Sequence, residues 1–217
     1  MVDDLVITRR RKKYKFAKFN ELENCFQFDE WTGGEKNLSG DKIIVEIGAG
    51  SALFLVELAR LHPDNFYIAI DIKSDRLYRG ARKASEESIK NIIFIRSDIW
   101  RLNDILPKDS VDEIWLTFSD PYPRKSDAKH RLTSPRFLEI YKNVLHRSGK
   151  LHFKTDNQPL FDWSLEQFEQ NGWKIESLSR DLHKSNLSDE YKIMTTYEEK
   201  FVNEGLQIYF ADASVIS

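Results

Sequence analysis

From residue 42 onward the chain alternates short apolar runs with amphipathic ones, and this rhythm restricts the possible folds more than any composition value does. "KIIVEIG" reads as a buried strand, "SALFLVELARLH" as a helix with apolar residues three and four apart, "NFYIAID" as a second strand, and Ser74 to Ile89 as an amphipathic helix. "NIIFIRSD" and "VDEIWLTFSD" read as further strands, Ser134 to Val144 as a helix, and "KLHFKTD" as a strand before a helix from about Leu160 to Gln170. Strands that alternate with helices need crossover connections, so the expectation is an α/β domain with a mostly parallel sheet and helices on both faces. The tail breaks the rhythm: "WKIESLSRDLH" and "LQIYFADA" read as an antiparallel C-terminal strand pair at one end of the sheet.

The 217 residues suit one domain of ordinary size, divided as a basic N-terminal arm and linker over 1–41 and a folded domain over 42–217. Apolar residues at 41% and charged residues at 31% exclude both a membrane-embedded and a disordered chain. No apolar run approaches the roughly 18 residues that span a bilayer, and the opening "MVDDLVITRRRKKYK" has its charges after the apolar patch, the wrong order for a secretory signal. Cys25 is the only cysteine, which rules out an internal disulfide and a thiolate metal cluster and points to a cytoplasmic home. No histidine shows close metal-ligand spacing with another, so no metal is expected.

A net charge of −2 hides local clustering. "RRRKKYKFAK", with Arg9, Arg10, Arg11, Lys12 and Lys13 at its head, carries only positive charge with aromatics interleaved, as phosphate contact plus stacking would require. A solubilising tail has the same composition.

In a parallel sheet, ligands bind at the carboxyl ends of the strands. Polar residues collect there: Glu46 with Gly48 and Gly50, then Asp71, Asp98, Asp120 and Asp156. The glycine turn alone serves nicotinamide, flavin and S-adenosylmethionine sites alike, or is a tight turn only. Asp71, about twenty residues on, is placed to accept ribose hydroxyls. Leu53 stands where a dinucleotide site has its third glycine, and Glu46 would repel a pyrophosphate but favours a sulfonium or an amino group. The charge sense favours S-adenosylmethionine, with Asp98 positioned to meet the adenine amino group. A dinucleotide oxidoreductase is the disfavoured rival. In "FSDPYP", Pro121 and Pro123 limit the backbone around Asp120 and Tyr122, either to present a carboxylate and a ring or only to stiffen a turn.

The segments "EIGAG", "SDPYPRK", "HRL", "HFKTDN", "DLHKSN" and "MTTYEEKF" together resemble the bacterial tRNA (guanine-N7-)-methyltransferases, in order, from about Arg9 to Phe210. The resemblance implies a class I, Rossmann-like methyltransferase whose donor, S-adenosylmethionine, is contacted at Glu46, Gly48, Gly50, Asp71, Asp98 and the catalytic Asp120 and leaves as S-adenosylhomocysteine. It implies tRNA contacts at Arg124, Asp156, Thr195, Tyr197 and Glu198, with Lys125, Lys129, His130 and Arg131 also touching RNA, and a target guanine in the variable loop. The chain departs from the family at Ala52, usually glycine, at Tyr122, usually tryptophan, at Arg124, commonly lysine, and in the basic run diluted by Ser126 and Asp127. The expected partner is tRNA, without a membrane, for a monomer or homodimer.

Guanine N7 already has an in-plane lone pair, so its methylation needs no base, and the work is positioning. Asp120 and Asp156 are therefore read as electrostatic and orienting groups that accept the guanine N1 and N2 hydrogens. Thr195 and Glu198, three apart, equally suit a helix capping box. An amino-group methyltransferase on another RNA, and a silent RNA-binding relative, are the alternatives.

Overall fold

The structure, a computed structural model, describes residues 9–31, 38–194 and 196–216. Helix α1 (Arg9–Asn20) and the short strand β1 (Cys25–Gln27) come first. The expected alternation then follows as β2 (Ile43–Ile47), α2 (Leu53–Leu61), β3 (Phe66–Asp71), α3 (Ser74–Glu86), β4 (Ile92–Arg96), the single turn α4 (Leu102–Ile105) and β5 (Val111–Thr117). It continues with α5 (Pro135–Val144), β6 (Leu145–Thr155), α6 (Gln158–Gln170) and β7 (Trp173–Ser179), and ends with α7 (Thr196–Asn203) and β8 (Tyr209–Val215).

Among the described residues one sheet of eight strands holds the fold together, in the order β1-β4-β3-β2-β5-β6-β8-β7. All neighbours are parallel except β8, which runs antiparallel to both β6 and β7. The C-terminal pair is thus antiparallel as expected, with β8 inserted between β6 and β7. Strand order reverses between β2 and β5, and the crevice above their carboxyl ends is the natural ligand position in such a sheet. Every residue of β2 is buried, including Glu46, because helices cover both faces.

Helix α3 shows why these segments are helical. Leu77, Gly80, Ala81 and Ala84 recur three and four apart and are buried, and charged residues fill the other face. Helix α6 starts where the Asn157 side chain accepts the Leu160 amide at 2.9 Å, with Pro159 in its first turn, two residues before the expected start.

The stretch before residue 42 has more structure than an arm and linker. Phe19 of α1 is fully buried, and β1 adds to the sheet edge beside β4. Trp31, unassigned from sequence, donates its indole N–H to the Ile105 carbonyl at 3.0 Å and meets Phe26 edge-on at 5.2 Å. Arg9 to Lys13 belong to α1, but their side chains lie outside the described residues, as does Thr195 entirely. Among the described residues no helix is long and apolar enough to cross a membrane, and no group of three His, Cys, Asp or Glu is placed to hold a metal ion.

Candidate active site at the carboxyl edge of the sheet

Gly48 and Gly50 follow β2 with φ values of +69° and +55°. This left-handed backbone aims the Gly50 amide at Asp71, whose Oδ2 accepts it at 2.9 Å, while Oδ1 accepts the Lys73 amide at 2.7 Å. Asp71 therefore braces the glycine turn and keeps only its remaining lone pairs for a ligand. A Cβ on Gly50 would meet nothing within 4 Å, so open space lies where a ligand would approach. Ala52, where the resemblance calls for glycine, also has left-handed backbone, φ 52°, and this accounts for the family's preference at that position.

Gly80 was not legible as a site residue. A Cβ there would stand 2.4 Å from the Ser51 carbonyl oxygen, so its absence lets α3 pack directly on the glycine turn. Gly80→Ala is expected to destabilise the fold by about 1–3 kcal/mol through overpacking. It should also weaken S-adenosylhomocysteine binding; a melting curve and calorimetry check both.

Glu46 sits beneath the turn and is 1% exposed. Its Oε1 accepts the Thr117 hydroxyl at 2.6 Å, while Oε2 is buried without a hydrogen-bond partner among the described residues. Burial pushes the carboxyl pKa up to about 8, against the Thr117 hydrogen bond and the nearby Lys154 ammonium, which lower it. A buried carboxyl with an orphaned oxygen is unstable on its own account and fits a cationic ligand group. A small cavity of about 60 Å³ lies between Glu46, Gly50 and Phe54. It shares Gly48, Arg76 and Phe118 with a larger one of about 370 Å³.

The larger cavity brings together Asp71, Asp98, Asp120, Tyr122 and His130. Asp98 is exposed and caps a short 3-10 turn by accepting the Trp100 amide at 3.1 Å. Asp120 is exposed and makes no hydrogen bond or ion pair among the described residues. It lies between Phe118 and Tyr122, whose φ values of 48° and 42° are unusual for aromatic residues. Such backbone costs about 1–3 kcal/mol per residue and persists where surrounding contacts enforce it. At Tyr122 Arg131 enforces it, donating to the Pro121 and Tyr122 carbonyls at 3.0 Å each while its guanidinium lies 4.4 Å above the Trp163 ring.

Arg131, expected to touch RNA, is thus turned inward as a brace for the Asp120 loop. Arg124, Lys125, Lys129 and His130 are exposed, the last three on a 3-10 helix over Lys125–His130 at the cavity mouth. Asp156 is half-buried after β6 and is not on the wall of the larger cavity.

Glu198 has a different setting from the basic turn. It was expected to contact RNA, but its side chain is fully buried, 2.9 Å from the Lys154 ammonium and 2.8 Å from His183 Nε2. His183 lies in a short 3-10 turn, Leu182–Lys184, and not in a strand. Lys154, also fully buried, donates in addition to the Ile193 carbonyl at 3.1 Å, and so ties the segment leading into α7 to β6. The side chain of Tyr197 is outside the described residues.

A family model described as "Putative methyltransferase" matches residues 40–211. Solved structures with the same fold include the 16S rRNA methyltransferase KamB, with a TM-score of 0.63, 14% identity and coverage of 82% of this chain and 90% of that one. An S-adenosylmethionine-dependent methyltransferase from Aquifex aeolicus has a TM-score of 0.56 at 15% identity, covering 82% and 85%. Fold and site thus define a Rossmann-like, S-adenosylmethionine-dependent methyltransferase. The tRNA (guanine-N(7)-)-methyltransferase of Cytophaga hutchinsonii is 38% identical over 213 residues, which cover 93% of this chain and 96% of that one. That of Bacillus cytotoxicus is 40% identical over 210 residues, covering 94% and 96%. The chain belongs to the tRNA (guanine-N7-)-methyltransferase family.

Proposed function

We propose that this protein methylates N7 of a guanine in the variable loop of tRNA, with Asp120 as the residue that faces the reacting base. The observation that carries the assignment is the unpaired Asp120 carboxylate, fixed on the cavity wall between the glycine turn and an exposed basic turn. S-adenosylmethionine, when bound, supplies an activated methyl group to the N7 lone pair and departs as S-adenosylhomocysteine.

The residues present fit that donor. Glu46 offers an unsatisfied buried oxygen to a cationic group, Asp71 offers its remaining lone pairs to ribose hydroxyls, and Asp98, on the wall of the larger cavity, offers a carboxylate to the adenine amino group. Asp120 has no proton to remove from N7. Its carboxylate instead favours the positive charge that develops on the purine ring and, with Asp156 after β6, would accept the base N1 and N2 hydrogens. Arg124, Lys125, Lys129 and His130 meet the RNA backbone. On this reading the protein works on tRNA in the cytoplasm, as a monomer or homodimer.

The test is incubation with unmodified tRNA and isotope-labelled S-adenosylmethionine, digestion, and identification of the labelled nucleoside by mass spectrometry. Label in 7-methylguanosine supports the proposal; label in an amino-methylated nucleoside replaces it with an amino-group enzyme. Absence of label with S-adenosylhomocysteine still bound indicates a silent RNA-binding relative. Asp120→Asn should lower kcat about 100-fold, the usual effect of losing one preorganised electrostatic group, while S-adenosylhomocysteine binding changes little. Unchanged turnover would remove Asp120 from its assigned role.

A further inference from the structure

The cavity that gathers the strand-end carboxylates is also lined by two arginines: Arg76, which it shares with the small cavity, and Arg136 in the first turn of α5, which lines the larger one alone. The sequence pattern did not single out Arg136. Its Cζ lies 4.3 Å from the centre of the Trp100 ring and 4.6 Å from that of Phe137, and the two rings are 4.8 Å apart. Stacking of this kind holds a guanidinium in a fixed plane without neutralising it. Nε is buried and makes no hydrogen bond, and a terminal nitrogen is 3.4 Å from His130 Nδ1. Among the described residues no carboxylate lies within 4 Å of Arg136.

A half-buried cation without a counter-ion is unfavourable unless a ligand brings the negative charge. The methyl donor does not bring it: the donor's methionine carboxylate has Arg76 available on the wall of both cavities, whereas Arg136 lines only the larger one, and its sulfonium is itself a cation. The base does not bring it either, because methylation at N7 leaves the purine ring positive. The remaining anion in the reaction is the RNA phosphate. His130, the neighbour of Arg136, ends the exposed basic turn, and its ring lies 5.6 Å from that of Tyr122 beside Asp120. A guanine unstacked so that N7 can meet the donor carries its own phosphate to the mouth of the cavity.

We infer that Arg136, held by Trp100 and Phe137 and assisted by His130, binds the backbone phosphate of the nucleotide that is methylated. This rests on the tRNA reading above and extends it to a residue outside the family motifs described here. The exposed lysines and Arg124 would hold the RNA body by long-range attraction, whereas Arg136 would hold the one phosphate that must be placed for the reaction. The difference appears in kinetics and in salt dependence.

The experiment compares wild type with Arg136→Gln and Arg136→Lys by steady-state kinetics, by tRNA affinity over a KCl series, and by S-adenosylhomocysteine affinity. Arg136→Gln should raise KM for tRNA about tenfold, as loss of one charge-assisted hydrogen bond does, with kcat within about twofold and S-adenosylhomocysteine affinity unchanged. The slope of log affinity against log salt should flatten by about 0.7–0.9, the amount for one phosphate contact. Arg136→Lys should retain the wild-type slope, and it keeps the test available if the Gln variant folds poorly, since a flattened slope there also overturns the proposal. An unchanged slope with Arg136→Gln overturns it, as does a parallel loss of S-adenosylhomocysteine affinity, which would assign Arg136 to the donor pocket. Failure of the parent reading is separate, because wild type would then label no 7-methylguanosine in tRNA.

Discussion

Glu46→Gln is expected to abolish tight donor binding and, at the same time, to make the protein more stable at neutral pH. Both effects follow from one buried carboxyl. A carboxyl raised from 4.5 to about 8 binds more protons in the folded than in the unfolded state between those values. Its contribution to stability is therefore fully present below 4.5 and is lost as pH rises toward 8. Removing the ionisable group should stabilise the protein by on the order of 2–3 kcal/mol at pH 7. Denaturation at pH 5 and pH 8 checks this, since the wild-type loss over that range should shrink in the variant.

Donor binding has the opposite sign. A cationic ligand needs Glu46 ionised, so wild-type affinity for S-adenosylmethionine should rise about tenfold per pH unit as pH approaches 8 and then level off. Glu46→Gln should flatten this profile and bind at least about 100-fold more weakly at pH 8, where the carboxylate no longer has to be created. Comparing S-adenosylmethionine with S-adenosylhomocysteine identifies the cation that Glu46 faces. A deficit confined to the first marks the sulfonium, whereas an equal deficit in both marks the amino group they share. Wild-type affinity in the variant at pH 8 would mean that Glu46 does not hold the donor.

Glu46 also illustrates what the sequence made legible. A strand buried on both faces is written in apolar residues, so a carboxylate inside "IIVEI" stands out, and aspartates where the apolar runs stop mark the strand ends directly. Other features lacked such a signal. Strand β1 has three residues at a sheet edge, too few for a period, and the insertion of β8 between β6 and β7 is a pairing choice absent from either strand's local pattern. Arg131 stands in a run of basic residues, and nothing in that run distinguishes the one that turns inward. The burial of Lys154 with Glu198 lacked a signal for a related reason. Charged residues are ordinarily solvated, and the two lie 44 positions apart, so the pairing that permits their burial appears only in three dimensions.

That pair carries the other large expected effect. Burial pushes the Lys154 pKa down, and the Glu198 and Glu46 carboxylates oppose the shift. Lys154→Met would remove the buried ammonium from beside Glu198, a change that costs about 3–5 kcal/mol where buried pairs have been broken. The double variant Lys154→Met/Glu198→Leu should recover most of that loss, because replacing both partners by apolar groups of similar volume is often neutral. Denaturant titration of the single and double variants measures the difference. Equal stability of the two would show that the pair is not coupled as the 2.9 Å contact implies. The double variant also tests whether the ion pair serves the site. Without the Lys154 ammonium, Glu46 loses the nearest positive charge that holds its pKa down, so donor binding should reach half its maximum at a higher pH than in wild type. A purely structural pair would leave that midpoint in place, whereas a displaced midpoint would show that the charge anchoring the approach to α7 also sets the ionisation of the residue facing the donor.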